Sequence, residues 1–228
     1  MNNQQKVGAI IVAAGSSRRM GGIDKVFVPL GGKPALVWVL DVFESCELVN
    51  QIVVVVSEKN LERCRQLISG EGWSKAIEVC AGGRRRQDSV AAGLKRLKDC
   101  QWVVIHDGAR PLVTKDLIER GLKAAEETGA AIAAIPVTDT IKIADGNRIV
   151  HQTPPRQNLW AVQTPQVFRF DIITRAYEQI KSDATDDASL VEKLGYRVKL
   201  YMSAYDNIKI TNLDDLALAE VLLKKHGK

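Results

Sequence analysis

The segment AAGSSRRM occupies residues 13–20, directly after a run in which five of the six residues from Val7 to Val12 are apolar. Small residues with a glycine leave backbone N–H groups bare. Two guanidinium groups then follow at Arg18 and Arg19, with an ammonium at Lys25. Bare N–H groups and clustered cations are the equipment for holding a phosphate. Three other stretches concentrate polar chemistry: GGRRRQDSV (82–90), HDGARP (106–111) and DNIKIT (206–211). HDGARP sets an acid, Asp107, and a cation, Arg110, beside the end of the apolar run WVVIHD. Two familiar phosphate-binding patterns are excluded. GxGxxG fails because Ser17 stands where the second glycine is needed. The Walker A pattern fails because Gly32–Lys33 is followed by Pro34 and position 27 is Phe27.

Elements must place these stretches together. The pattern predicts strands over 7–13, 51–56, 76–80, 102–107 and 130–137, alternating with helices over 34–46, 58–68, 88–97 and 114–128. Thr114 is suited to cap the last of these helices. QIVVVV (51–56) is a continuous β-branched run, the mark of a strand covered on both faces. Repeated β-α units imply an α/β fold: a three-layer α/β/α sandwich around a mostly parallel sheet. Its strands' C-terminal ends share one edge, where ligands bind. The rhythm breaks over 138–165, where short alternating stretches surround a turn at Asp145–Gly146–Asn147. A protruding β-hairpin arm is expected there. Residues 170–225 return to α/β character, the last helix starting at Asn212 as a cap. We read residues 1–228 as one domain with the arm as its subregion.

The 228 residues are 46% hydrophobic, enough for a sizeable core, and 26% charged with the signs mixed, so a globular chain follows. The net charge of +5 suits an anionic ligand. Nucleic-acid binding is disfavoured, because aromatic residues are only 5% and scattered, leaving no stacking platform. Cys46, Cys64, Cys80 and Cys100 stand at least sixteen residues apart, without CxxC or zinc-ligand spacing. They read as buried hydrophobes in a reducing compartment. No stretch reaches membrane-spanning length, and a cytoplasmic location with no membrane partner is the default.

Taken in order, AAGSSRRM, GGRRRQDSVAAGL (82–94), HDGARP, DT (139–140), TPPRQNLW (153–160), QTPQVF (163–168), TDDAS (185–189) and DNIKIT resemble one family of nucleotidyltransferases. These are the 2-C-methyl-D-erythritol 4-phosphate cytidylyltransferases of the non-mevalonate isoprenoid pathway. The resemblance runs from about residue 7 to 222. It implies a Rossmann-like nucleotidyltransferase fold and transfer of a cytidylyl group from CTP to the polyol phosphate, with release of pyrophosphate and Mg²⁺ as cofactor. Carried over residue by residue, it makes Arg19, Lys25 and Lys209 the catalytic cations. It assigns Ala13, Ala14, Gly15, Gly83, Ser89 and Asp107 to the nucleotide, and Arg110, Thr140, Arg156, Thr164 and Thr185 to the acceptor. Asp107 and Asp206 would face the metal. The arm, with Thr140 and Arg156, would cross to a second subunit and make a homodimer. Fixed cations suit this chemistry, since a triphosphate with about four negative charges must meet an acceptor phosphate with about two. Two rival readings are a ribitol 5-phosphate cytidylyltransferase, whose acceptor is a similar polyol phosphate, and a non-catalytic CTP-binding regulator.

Overall fold

The computed structural model describes residues 5–15 and 24–227. Strand β1 (Val7–Ala13) lies inside the main sheet. A two-stranded clip, β2 (Pro29–Leu30) with β3 (Lys33–Pro34), precedes helix α1 (Ala35–Ser45). Then follow β4 (Val49–Val56), α2 (Leu61–Gly70), β5 (Ala76–Ala81), α3 (Arg86–Leu94), β6 (Trp102–Asp107), α4 (Lys115–Thr128) and β7 (Ala130–Pro136). The chain next forms a small ribbon, β8 (Ile143–Ala144) with β9 (Val150–Gln152). It returns through β10 (Trp160–Arg169), α5 (Phe170–Gln179), α6 (Ala188–Lys193), β11 (Lys199–Met202) and α7 (Leu213–Lys225).

Seven strands form the main sheet in the order β11-β7-β10-β6-β1-β4-β5. Alternation along each strand feeds two cores. Ile11, Val54 and Val104 pack with Phe43 of α1 and Ile118 of α4 on one face. Ile10, Val53, Val55 and Ile105 pack with Val90 of α3 and Ile173 of α5 on the other. The sheet is therefore buried on both sides, as its unbroken apolar strands require. Thr114 caps α4, its hydroxyl accepting from the Leu117 N–H at 3.2 Å, and Asn212 caps α7 by accepting from the Asp215 N–H at 2.8 Å.

Two expectations need correction. The strands do not all end on one edge: β10 runs antiparallel to both β6 and β7, while the other pairings are parallel. The arm causes this. It leaves from the C-terminal end of β7, so the returning strand must enter the sheet from that same end. The earlier half of β10, with Thr164, therefore reaches the ligand edge. The arm also ends sooner than residue 165, because Trp160 pairs with Pro136 and Val162 with Ala134 within the main sheet. At the arm's tip the Asp145 carboxylate accepts from the Asn147 and Ile149 N–H groups, both at 2.9 Å, and closes the turn.

Candidate active site

Asp107 ends β6 at the sheet's C-terminal edge and is 7% exposed. Three cations surround its carboxylate. Lys209 Nζ donates to Oδ2 at 2.6 Å, Arg86 Nε lies 3.5 Å from Oδ1, and Arg110 Nε lies 4.0 Å from Oδ2. Burial alone would push the Asp107 carboxyl up. The Lys209 and Arg86 charges, the Lys209 hydrogen bond and the Arg110 charge outweigh it and hold the group well below the usual carboxylate range. Asp107 is thus an anion at any working pH. The Nε of Arg110 is buried with no hydrogen-bond partner, while its Nη1 donates to the Asn207 carbonyl at 2.7 Å.

Lys209 lies on a segment without regular structure, so buried side chains must fix it. Asn207, 1% exposed, donates through Nδ2 to Gln163 Oε1 and to the Thr164 carbonyl, both at 2.9 Å. The Ser203 hydroxyl donates to the same Gln163 oxygen at 2.7 Å. The Ile210 N–H donates to the Ala109 carbonyl at 2.8 Å, stitching the Lys209 segment to the loop after Asp107.

A cavity of about 280 Å³ opens beside Asp107. Ala13, Ala14 and Gly15 form its floor after β1, with Lys25, Gly83 and Ser89 around it. Lys25 is close to Gly15: a Cβ on the glycine would stand 3.9 Å from Lys25 Cε. Ser89, 2% exposed, accepts from the Gly83 N–H at 3.2 Å and donates to the Arg85 carbonyl at 3.2 Å. Nothing larger than glycine fits in this turn. A Cβ on Gly82 would stand 2.5 Å from Ala14 Cβ and 2.6 Å from Ser89 Oγ, and one on Gly83 would stand 2.3 Å from Asp88 Cβ. Gly82→Ala should cost about 1–3 kcal/mol of stability and push Ala14 into the cavity, raising several-fold the KM for the nucleotide that the resemblance assigns to it. Urea unfolding and steady-state kinetics read the two effects. A variant matching the unmutated chain in both would show that the turn yields at no cost.

A second cavity of about 450 Å³ adjoins the first and is lined by Arg110, Thr164 and Thr185. Arg86, Asp107 and Lys209 line both cavities. His106 supports this wall from inside. Its Nε2 lies 3.2 Å from the Arg110 carbonyl, which can only accept, so that nitrogen carries the proton. Nδ1 then accepts from the Thr164 hydroxyl at 3.1 Å, while the same hydroxyl oxygen accepts from the Asp107 N–H at 3.1 Å. Burial pushes His106 down to about 4 from the ordinary 6.5, against the opposing pull of Asp107. The unfolded chain takes up this proton first as pH falls. The neutral ring therefore contributes stability above about 6.5 that is lost progressively toward pH 4, by up to roughly 3 kcal/mol. Urea unfolding in chelator, at about pH 7 and pH 5, should show a steeper loss in the unmutated chain than in His106→Gln. Equal slopes would sink this account.

Lys25, Lys209, Asp107, Ala13, Ala14, Gly15, Gly83 and Ser89 gather at the first cavity, and Arg110, Thr164 and Thr185 at the second. Arg19 lies outside the described residues. Asp206 is not part of this cluster: its carboxylate pairs with His226 Nε2 at 2.8 Å, and it lines neither cavity. Its neighbour Asn207 turns inward, so Asp206 is left on the side facing α7. Thr140 and Arg156 lie on the exposed arm, where Arg156 Nη1 donates to the Thr138 carbonyl at 2.6 Å. Neither lines either of these two cavities. The resemblance matches Arg86 to a family arginine without giving it a role, and Gln163, Asn207 and Asp187 were left out altogether. In RRR (84–86) the signal was the start of α3: the Asp88 carboxylate accepts from the Arg85 N–H at 3.0 Å and fixes the helix start, and the next residue, Arg86, faces the cavities.

The chain is 53% identical over 221 residues to the 2-C-methyl-D-erythritol 4-phosphate cytidylyltransferase of Dehalococcoides mccartyi strain 195, covering 97% of each. It is 47% identical to the enzyme of that name from Alkaliphilus oremlandii, covering 98% of each. Among solved structures, the 4-diphosphocytidyl-2C-methyl-D-erythritol synthase of Anaerococcus prevotii superimposes with a TM-score of 0.88 at 30% identity, covering 96% of both chains. The Thermus thermophilus cytidylyltransferase gives 0.77 at 32% identity, covering 96% of this chain and 100% of that one. Residues 7–225 match the family described as IspD: 2-C-methyl-D-erythritol 4-phosphate cytidylyltransferase, and with these identities over nearly its whole length the chain belongs to that family.

Proposed function

We propose that the chain transfers a cytidylyl group from CTP to 2-C-methyl-D-erythritol 4-phosphate, giving 4-diphosphocytidyl-2-C-methyl-D-erythritol and pyrophosphate. The observation that carries this reading is the trio of Arg86, Asp107 and Lys209 on the shared wall of two adjoining cavities. CTP occupies the first, its phosphates on the Gly15 loop with Lys25 beside them and its cytosine against Gly83 and Ser89. The polyol phosphate occupies the second, held by Arg110, Thr164 and Thr185. An acceptor phosphate oxygen then meets the α-phosphorus at the shared wall and attacks in line, with pyrophosphate leaving opposite. No general base is needed, because the attacking phosphate is already ionised. Lys25 and Lys209, with Arg19 as the resemblance implies, offset the charge that gathers on the α-phosphate and the leaving group.

Mg²⁺ fits this donor set. Among the described residues no group of three or more His, Cys, Asp or Glu side chains could cage a metal. Mg²⁺ is commonly held by one or two carboxylates with substrate phosphates and water, and Asp107 is a carboxylate oxygen donor held ionised by its cations on the wall of both cavities. When bound, the metal would neutralise triphosphate charge. Asp206 has no part in it.

The arm supports a homodimer. Ile141, Ile143, Ile149 and Val150 are exposed on and beside a two-stranded ribbon that is marginal alone in water. Exchange of arms between two copies would cover these residues and bring Arg156 and Thr140 toward the partner's acceptor cavity. No helix among the described residues is long and apolar enough to cross a membrane, and we place the enzyme in the cytoplasm.

Pyrophosphate release tests the assignment, run with CTP and Mg²⁺ and with 2-C-methyl-D-erythritol 4-phosphate, ribitol 5-phosphate or no acceptor. Release with the erythritol phosphate alone is expected. Release only with ribitol phosphate would reassign the acceptor, and none with any acceptor from folded protein would leave a CTP-binding regulator.

A further inference from the structure

Asp187 is 0% exposed and precedes α6, yet its carboxylate does not cap that helix. Asp187 is itself helical in φ and ψ, and the preceding Asp186 supplies the cap, its Oδ1 accepting from the Ser189 N–H at 3.1 Å, so the Asp187 carboxylate is free for other partners. Here Oδ1 accepts from the Tyr177 hydroxyl of α5 at 2.6 Å, and Oδ2 faces Arg86 Nη1 at 2.7 Å. Oδ2 has no hydrogen-bond partner besides this ion pair. A helix-capping role is therefore absent, and the arrangement is directed at Arg86. That guanidinium stands between two acids, its Nη1 at Asp187 and its Nε 3.5 Å from Asp107 Oδ1. One of these acids belongs to the shared wall. The other lies behind it, two residues after Thr185 of the acceptor cavity.

We propose that Asp187, braced by Tyr177, is a positioning residue that holds Arg86 on the wall shared by the two cavities. Arg86 is there a bridging cation between the triphosphate and the acceptor phosphate. This rests on the assignment of the two cavities made above. A planar guanidinium pinned along one edge by a buried carboxylate keeps its remaining N–H groups aimed at the cavities. Free of Asp187, it would turn toward Asp107, which already has Lys209 at 2.6 Å. It would then compete for the carboxylate that lines both cavities. Tyr177 keeps Asp187 from following: its hydroxyl fixes Oδ1, leaving Oδ2 as the only oxygen presented to Arg86.

The test is a double-mutant cycle of Asp187→Asn with Arg86→Gln, read by steady-state kinetics and by CTP affinity in calorimetry. Asp187→Asn keeps the side chain's volume and removes its charge. It should lower kcat/KM for the acceptor about 10- to 100-fold, in the range of hydrogen bonds to charged groups. In the Arg86→Gln background the same substitution should add less than about twofold, because Asp187 acts only through Arg86. Tyr177→Phe keeps the buried ring and should cost about three- to tenfold, removed in the same background. It serves also if Asp187→Asn fails to fold. Full additivity of either change with Arg86→Gln would overturn the proposal, since a merely structural role lowers the melting midpoint and leaves kinetics of the folded fraction unchanged. CTP affinity separates this outcome from failure of the proposed function. A chain that binds CTP but releases no pyrophosphate loses the assigned reaction, while the cycle on CTP affinity still shows whether Asp187 sets Arg86.

Discussion

Lys209→Met lowers kcat by a factor on the order of 10²–10⁴ and raises the KM for CTP far less, because the lost charge matters most when negative charge shifts onto the leaving pyrophosphate. Methionine keeps most of the side chain's length and apolar stem, so packing survives. Asp107 loses its 2.6 Å partner but keeps Arg86 at 3.5 Å and Arg110 at 4.0 Å. The Lys209 side chain is 36% exposed, so solvent screening keeps the stability cost to about 1 kcal/mol or less. Asn207 and Ile210 still anchor the segment, and the backbone holds its place. The expected signature is a chain that melts like the original, binds CTP nearly as well and releases pyrophosphate hundreds of times more slowly. Lys209→Arg restores the charge but not the compact ammonium geometry, and should recover only part of the rate. A kcat within threefold of the unmutated chain for Lys209→Met would remove Lys209 from the reaction.

The difference between Lys209 and its neighbour Asp206 shows where reading along the chain succeeds and stops. Both stand in DNIKIT, and both were expected at the site. The motif was legible as a unit, but which of its side chains turns inward depends on partners far away in sequence. Gln163 and Thr164 take Asn207 from over forty residues upstream, and His226 takes Asp206 from twenty residues downstream. Strand β6 and Asp107 at its end were legible because a covered strand is apolar throughout and its polar stop is abrupt. The direction of β10 was not. The alternation of a strand is the same read either way, and only the arm's point of departure decides it. Arg86 was legible only as a match to a family arginine, and composition does not say what sets it apart from Arg84 and Arg85. The helix start separates them, since Arg85 turns back to Asp88 while Arg86 faces two buried acids. The Gly82–Gly83 pair was legible as a tight approach, whereas the atoms that demand it, Ala14 Cβ, Ser89 Oγ and Asp88 Cβ, come from the fold.

Asp107→Asn should lower kcat/KM by about 10³-fold or more, and the dependence on Mg²⁺ tells which of two jobs is lost. One job is structural. The carboxylate sits among Lys209, Arg86 and Arg110, and without its charge three cations face one another across a nearly buried wall. Asparagine keeps an oxygen for Lys209 but cannot balance them, so a loss of about 2–4 kcal/mol in unfolding free energy is expected. The loss depends on pH in a defined sense. The folded Asp107 carboxyl lies below its unfolded value, so its contribution is fully present above about pH 4 and fades as the solution becomes more acid. Removing it should flatten the acid limb of the stability curve and leave the region above pH 5 parallel to the original. The other job is to hold a metal through a hard oxygen. If Asp107 does this, the Mg²⁺ concentration giving half-maximal rate should rise at least tenfold in Asp107→Asn, beyond any change in CTP affinity measured without metal. If the carboxylate only organises the cations, the rate should fall with an unchanged Mg²⁺ midpoint, and raising Mg²⁺ should recover nothing. The second outcome would take Asp107 out of the metal's coordination and leave it as the counter-charge that lets Lys209, Arg86 and Arg110 converge on two phosphorylated substrates.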